Sequence, residues 1–198
     1  MFGVEQSTTN EHSMANDIGD ECMQIHCKFP DVVVAVSENR VYGIKQLQQQ
    51  HPEVQVVLLD DAFQHRRLTC GFNILLTTAD NLYVHDHFLP WGTLRDNKQE
   101  SLRANVIVVT KCPPTMTAID RRTIVHELKT PAYQQLLFSF VDYVDWQTHI
   151  AAMPSSAKVR VVTGIAHPEY LMQHVGKRFP NAQLLAYADH HKFSHAEI

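Results

Sequence analysis

Short apolar runs alternate with amphipathic stretches along this chain and predict a succession of strands and helices. The predicted strands are 31–36, 54–59, 72–77, 106–110, 159–162 and 183–187. Apolar positions three or four residues apart predict helices at 15–28, 40–50, 117–128 and 168–179. Segment 138–144 alternates apolar with polar residues, which is typical of an edge or antiparallel strand. Strands separated by helices indicate right-handed βαβ units, and therefore an α/β fold with a largely parallel sheet and flanking helices.

The apolar run Val54–Leu59 stands out because two carboxylates, Asp60 and Asp61, follow it directly. A nearly continuous apolar run is typical of a strand buried on both faces of a parallel sheet. Ligands of open α/β sheets bind outside the carboxyl ends of the strands. Mg²⁺ takes one or two carboxylates and shares the rest of its shell with substrate phosphates. The pair therefore predicts a magnesium site for phosphate chemistry, with a solvated Asx turn or helix cap as the alternative.

Composition and charge exclude several classes of protein. The 198 residues are 44% hydrophobic, which is enough for a substantial core, and the net charge of -4 gives no basic field for nucleic acid. The four cysteines form no CxxC pair, so we expect reduced thiols in a cytosolic protein. No apolar run is long enough to span a bilayer, and no signal peptide is recognisable.

Five short segments together resemble one family. They read NDIGDE (16–21), DDAFQHRRL (60–68), LPWGTLRD (89–96), GIAHPE (164–169) and ADHH (188–191). They are similar to the (V/I)GDE, DDGFQH, LPAGPLRE, GI(A/G)xPE and DHH segments of the tetraacyldisaccharide 4'-kinases, which phosphorylate the lipid A precursor. The chain departs from these patterns at Ala62, Trp91, Thr93 and Asp96. Ala62 replaces a glycine, and a positive φ there would suit Ala less well than Gly.

The resemblance implies a P-loop-NTPase-like fold in two parts. Residues 1–145 would form the core of the nucleotide- and magnesium-binding α/β lobe, and residues 146–198 the start of a second, smaller α/β lobe. Segment 145–158, rich in small and polar residues, is the candidate junction.

The resemblance also implies a site that uses ATP and Mg²⁺. Asp60 would hold the metal bridging the terminal phosphates, and Asp61 would orient a metal-bound water. Arg95 could clamp phosphate, because guanidinium offers a planar fork for oxyanions; a surface pair with Asp96 is the alternative. Asp96 is a further candidate metal ligand, although it is shorter than the Glu of the family.

Proton transfer is implied for two further residues. Asp20 inherits the role of the base acting on the sugar 4'-hydroxyl, and His190 that of its proton relay. His191 is the alternative, because one residue of register decides which imidazole faces inward. Without the family resemblance, Asp20 would be a solvated acidic residue in the first turn of a helix. The histidines would be incidental residues of a solvated turn.

The chain contains no GxxxxGK[ST] loop for nucleotide phosphates. In the family that loop lies upstream of the GDE segment, after a membrane-associating helix, and more chain follows the DHH segment. We therefore expect an incomplete, inactive fragment of a kinase for the acylated disaccharide 1-phosphate. The kinase would be peripheral to the cytoplasmic face of the bacterial inner membrane, with no obligate protein partner evident.

Two other functions fit the same residues. One is a non-catalytic P-loop-like binding module for an acidic or lipidic partner. The other is a metal-dependent hydrolase that uses Asp60, Asp61 and histidines. A dedicated transition-metal site around His85–His87 or His190, His191 and His195 has little support, because no HExxH or paired CxxC spacing accompanies it.

Overall fold

The computed structural model describes residues 6–8, 19–143, 150, 152–165, 168–188 and 191. The chain divides into two compact units, Met1–Phe140 and Val141–Ile198. Residues 145–149 and 151 of the predicted junction lie outside the described residues. The assignment of a nucleotide lobe and a second lobe to the two parts of the chain stays a prediction.

Both units alternate strands with helices, which confirms the α/β class. The first unit contains β1 Gln6–Thr8, α1 Asp20–Lys28, β2 Ala35–Ser37, α2 Arg40–Gln50, β3 Ile74–Thr78, a 3-10 helix Lys98–Arg103, β4 Val106–Cys112, α3 Ala118–Leu128 and β5 Gln135–Phe140. The second unit contains β6 Arg160–Thr163, α4 Glu169–Arg178 and β7 Gln183–Ala186. No helix among the described residues is both long and apolar enough to cross a bilayer.

A three-stranded parallel sheet, in the order β3-β4-β5, forms the centre of the first unit. Ile107 and Val109 of the middle strand are completely buried. They belong to one apolar cluster with Ile124 and Leu128 of α3, so the helix covers one face of the sheet. β5 lies at the edge of the sheet, but it runs parallel to β4; the alternation at 138–144 reflected an edge position and not an antiparallel direction.

Two smaller sheets complete the described structure. β1 pairs antiparallel with β2, and β6 pairs in parallel with β7. The second unit is thus a βαβ arrangement, in which Val175 of α4 and Phe179 at its end are buried.

The prediction of a buried strand at Val54–Leu59 is wrong. The segment has no regular secondary structure, and the side chains of Val56 and Leu58 are 72% and 89% exposed. An apolar run becomes a strand only if a neighbouring strand takes up its backbone hydrogen bonds, and none of the described residues does so. The predicted strand 31–36 is reduced to Ala35–Ser37.

Candidate functional site

The two carboxylates Asp60 and Asp61 lie in a tight turn. The Asp61 amide donates to Asp60 Oδ1 at 3.0 Å, and Asp61 has a φ of 44°, in the left-handed region that Asp tolerates better than most residues. The amide of His65 then donates to the Ala62 carbonyl at 2.9 Å. Since Ala62 itself has no positive φ, its replacement of the family's glycine carries no backbone penalty.

Arg95 lies beside this acid turn. Its Nη1 is 3.1 Å from Asp61 Oδ2, and both side chains are about two-thirds or more exposed. The partner of Arg95 is thus Asp61 and not the adjacent Asp96, which was the alternative from sequence. An exposed guanidinium next to an exposed carboxylate pair can exchange its partner for an incoming anion at little cost.

Asp96 binds a different arginine. Arg66 Nη2 donates to its two carboxylate oxygens at 3.0 and 3.1 Å, and this bond, followed by the Asn97 amide, holds the pKa of Asp96 below its usual range. The described residues contain no group of three potential metal ligands. The structure therefore gives Asp96 an ion-pairing partner, Arg66, and its role as a metal ligand stays a prediction.

Two residues that sequence reasoning missed, Glu100 and Arg103, complete this ion network. Glu100 lies 2.9 Å from Arg66 and 2.7 Å from Arg103, and Arg103 Nη2 also donates to the Phe63 carbonyl at 2.8 Å. The Arg103 guanidinium stacks over the Phe63 ring, 4.3 Å from its centroid. The spacing of Glu100 and Arg103, three residues apart, was the available signal.

The GDE segment forms the start of α1. Asp20 is the first residue of α1, directly after Gly19, whose φ of 86° suits only glycine well. The side chain of Asp20 is outside the described structure. Two residues further on, burial raises the pKa of Cys22, with further contributions from the carboxylates of Glu21 and Asp60.

A basic cleft of about 510 Å³ lies between the start of α2 and the segment after the acid turn. Arg40 and Asn39 line one side together with one carboxylate, Glu38, and the segment 64–68, with Arg66 and Arg67, lines the other. Three guanidinium groups around one cleft suit an anionic group such as a phosphate.

In the second unit, the GIAHPE and ADHH segments adjoin. The Tyr187 amide donates to the Thr163 carbonyl at 2.8 Å, and a Cβ on Gly164 would lie 3.2 Å from the Ala188 carbonyl. The His191 ring stacks on Tyr187 with centroids 4.4 Å apart. His190 lies outside the described residues and belongs to a different unit from Asp20, so the proton relay stays a prediction.

His85 and Asp86 pair with residues outside the HDH segment. His85 pairs with Glu127 at 3.3 Å, and Asp86 accepts hydrogen bonds from Thr93 and from the His87 amide. No metal-ligand cluster forms here among the described residues.

Comparison with known proteins gives a consistent result. The family model for tetraacyldisaccharide-1-P 4'-kinase matches residues 3–198. The tetraacyldisaccharide 4'-kinase of Flavobacterium johnsoniae is 41% identical over 195 residues, covering 96% of this chain and 56% of the relative. That of Bacteroides fragilis strain YCH46 is 39% identical, covering 94% and 53%. That of Porphyromonas gingivalis is 36% identical, covering 95% and 54%. The chain thus spans about half the length of these curated relatives. No solved structure matches it.

Proposed function

Because this chain belongs to the tetraacyldisaccharide 4'-kinase family, we propose that it supplies part of the machinery for a phosphoryl transfer. In this reaction ATP phosphorylates the 4'-hydroxyl of a tetraacyldisaccharide 1-phosphate, a precursor of lipid A. The fold proposed for the complete enzyme is P-loop-like, in agreement with the parallel sheet and flanking helices.

One observation carries the proposal: the acid turn and the phosphate-clamp candidate are neighbours. Asp61 and Arg95 are separated by 34 residues in the sequence, yet their side chains are 3.1 Å apart. Phosphoryl transfer depends on positioning of the phosphoryl group and on stabilisation of the negative charge on its oxygens. A carboxylate pair that can hold a metal ion and an adjacent guanidinium are groups that serve these two needs.

The acid turn fits Mg²⁺ in its chemistry. Asp60 and Asp61 offer hard carboxylate oxygens on exposed side chains, and Mg²⁺ needs only one or two such ligands besides water and phosphate. When bound, the ion would neutralise charge on the phosphate oxygens. Asp96 is not among the proposed ligands, because both of its oxygens accept from Arg66.

The other proposed roles belong to cationic and proton-accepting groups. Arg95 leaves Asp61 to contact the transferring phosphoryl group, and the basic cleft holds an anionic group of a substrate. Asp20 accepts the proton of the sugar hydroxyl, and His190 keeps its predicted role as a relay.

One part of the reaction, the binding of the nucleotide phosphates, is not assigned to this chain. It contains no GxxxxGK[ST] segment to cradle the nucleotide phosphates, so we expect the chain alone to transfer no phosphate. We also propose a peripheral position on the cytoplasmic face of the inner membrane; the acylated substrate of the proposed reaction, which resides in a bilayer, supports the contact with a membrane.

The test is transfer of labelled phosphate from ATP to tetraacyldisaccharide 1-phosphate in detergent micelles. It uses the gene product that contains this chain, with and without Mg²⁺. We expect Asp60→Asn to lower the rate about 100-fold, as for loss of one group that stabilises transition-state charge. Asp31→Asn is the matched control, because Asp31 is an exposed turn residue outside the site.

The outcomes separate the candidate functions. Near-normal transfer by Asp60→Asn would remove the metal assignment. Binding of the lipid without transfer by the wild type would favour a non-catalytic binding module, and metal-dependent hydrolysis without ATP would favour a hydrolase.

A further inference from the structure

Arg103 lies outside every motif that suggested the function, yet it contacts the loop that carries the acid turn. We propose that Arg103 is a positioning residue that fixes Asp60 and Asp61 relative to Arg95. The proposal rests on the phosphoryl transfer proposed above. It assigns to Arg103 no contact with substrate.

The first link runs from Arg103 to Phe63, two residues after Asp61. Arg103 Nη2 donates to the Phe63 carbonyl at 2.8 Å, and its guanidinium lies 4.3 Å from the centroid of the Phe63 ring. The Phe63 side chain packs against the apolar core of the first unit. Main chain and side chain of this residue are therefore both held, which leaves the preceding turn little freedom.

The second link runs from Arg103 to the loop of Arg95. Arg103 Nε donates to Glu100 at 2.7 Å, and its Nη2 lies 3.9 Å from Asp96, the neighbour of Arg95. Arg66, which follows the acid turn, bridges the same two carboxylates. Two arginines, Arg66 and Arg103, and the carboxylates of Asp96 and Glu100 thus form a closed network of ion pairs. The network joins segment 60–68 to segment 89–96 at two points.

The network is fixed to the core through the 3-10 helix. Gln134 Nε2 donates to the carbonyls of Ser101 and Ala104 at 2.7 and 2.8 Å, and the Tyr133 hydroxyl donates to the Leu102 carbonyl at 2.9 Å. Ala104, directly after Arg103, is 1% exposed. Arg103 therefore extends from a rigid support to a turn that has no regular secondary structure around it.

The consequence for the reaction is geometric. A displacement of about 1 Å of a reacting group, caused by a change away from the chemistry, can cost about 100-fold in rate. Loss of Arg103 frees the Phe63 carbonyl and half of the network, so the acid turn loses its fixed distance from Arg95.

The kinetic test compares Arg103→Ala with Arg122→Ala in the gene product that contains this chain. Arg122 is an exposed arginine of α3 that makes no ion pair with the described residues. We expect Arg103→Ala to lower kcat by about 10- to 100-fold, with KM for ATP nearly unchanged and an unchanged melting temperature. Equal effects of the two variants, or a fall in kcat that follows a fall in melting temperature, would overturn the proposal.

Arg103→Lys separates positioning from charge. Lysine keeps the positive charge, but it has neither the planar stack on Phe63 nor the several donors of the fork. We expect it to remain impaired in kcat. Full activity of this variant would reduce the role of Arg103 to a charge and overturn the proposal.

A second readout does not depend on activity. Hydrogen exchange in Arg103→Ala should accelerate at the amides of His65 and Leu68, which donate to the Ala62 and His65 carbonyls just after the acid turn, and stay unchanged at Ile107 and Val109 in β4. If the wild type transfers no phosphate, the proposed function fails while exchange still tests the positioning. Unchanged exchange at His65 and Leu68 would overturn it.

Discussion

At Gly92 the backbone of the loop that carries Arg95 passes so close to His87 that no side chain fits. A Cβ at this position would lie 2.6 Å from the His87 amide nitrogen, and nearer still to the His87 carbonyl and to Asp86 Oδ1. Asp86 in turn accepts a hydrogen bond from the Thr93 amide at 3.1 Å. Close approach of the chain, and not a positive φ, requires glycine here.

We predict that Gly92→Ala destabilises the first unit, because the added methyl group must push apart backbone and a bonded carboxylate. The expected loss is about 1–3 kcal/mol of unfolding free energy, the usual cost of overpacking. Urea denaturation measures it. Gly71→Ala is the matched control, because a Cβ there meets nothing within 4 Å. Equal stability of the two variants would contradict the loop geometry.

Arg95 and Asp96 show what sequence indicates at single residues. The motif identified both as functional candidates, but their partners lie 34 and 30 residues away, at Asp61 and Arg66. Charge type alone cannot decide which arginine meets which carboxylate, since several of each occur within a short stretch. Local pattern therefore found the residues, and only the tertiary arrangement assigned their contacts.

Among the elements, the two helices α2 and α4 each contain a glycine, with different surroundings. A Cβ on Gly43 would lie 2.8 Å from the Ser37 Cβ, whereas one on Gly176 meets nothing within 4 Å. Gly43 thus permits α2 to approach the end of β2. Gly176 brings only the entropic cost of glycine in a helix.

We predict opposite effects of alanine at these two positions. Gly176→Ala should stabilise its unit by about 0.5–1 kcal/mol, the difference in helix propensity, and Gly43→Ala should destabilise its own. Thermal unfolding followed by circular dichroism measures both, and each variant is the control for the other. Stabilisation by Gly43→Ala would show that α2 and Ser37 are not in close contact.

Predicted strands formed where another strand was available to pair with them. Strands near 72–77, 106–110, 159–162 and 183–187 formed, because each pairs with another predicted strand. The stretch 54–59 is also strongly apolar, yet it formed no strand. Hydrophobic periodicity indicates which secondary structure a segment prefers. A strand also requires a neighbouring strand to pair with, and the sequence of the segment does not specify that neighbour.

At the scale of the whole molecule, the described residues of the first unit leave apolar side chains exposed on one face of its central sheet. Leu76, Val108 and Leu137 are register partners across β3, β4 and β5, on the face opposite to the buried Ile107. Leu76 and Leu137 are 63% and 50% exposed. Parallel sheets are normally covered on both faces, so this apolar face is unusual for a soluble α/β unit.

We predict that the isolated 198-residue chain associates with itself through this face, since association removes its apolar surface from water. Sedimentation velocity should show a sedimentation coefficient that rises with protein concentration. The double variant Leu76→Ser and Leu137→Ser should reduce the rise, with circular dichroism confirming that it is folded. Ile119→Ser and Val125→Ser, on the exposed surface of α3, form the matched control. A concentration-independent coefficient for the wild type, or equal suppression by both double variants, would contradict a role for the sheet face. In that case the exposed leucines would be scattered surface residues of the kind that every soluble protein tolerates.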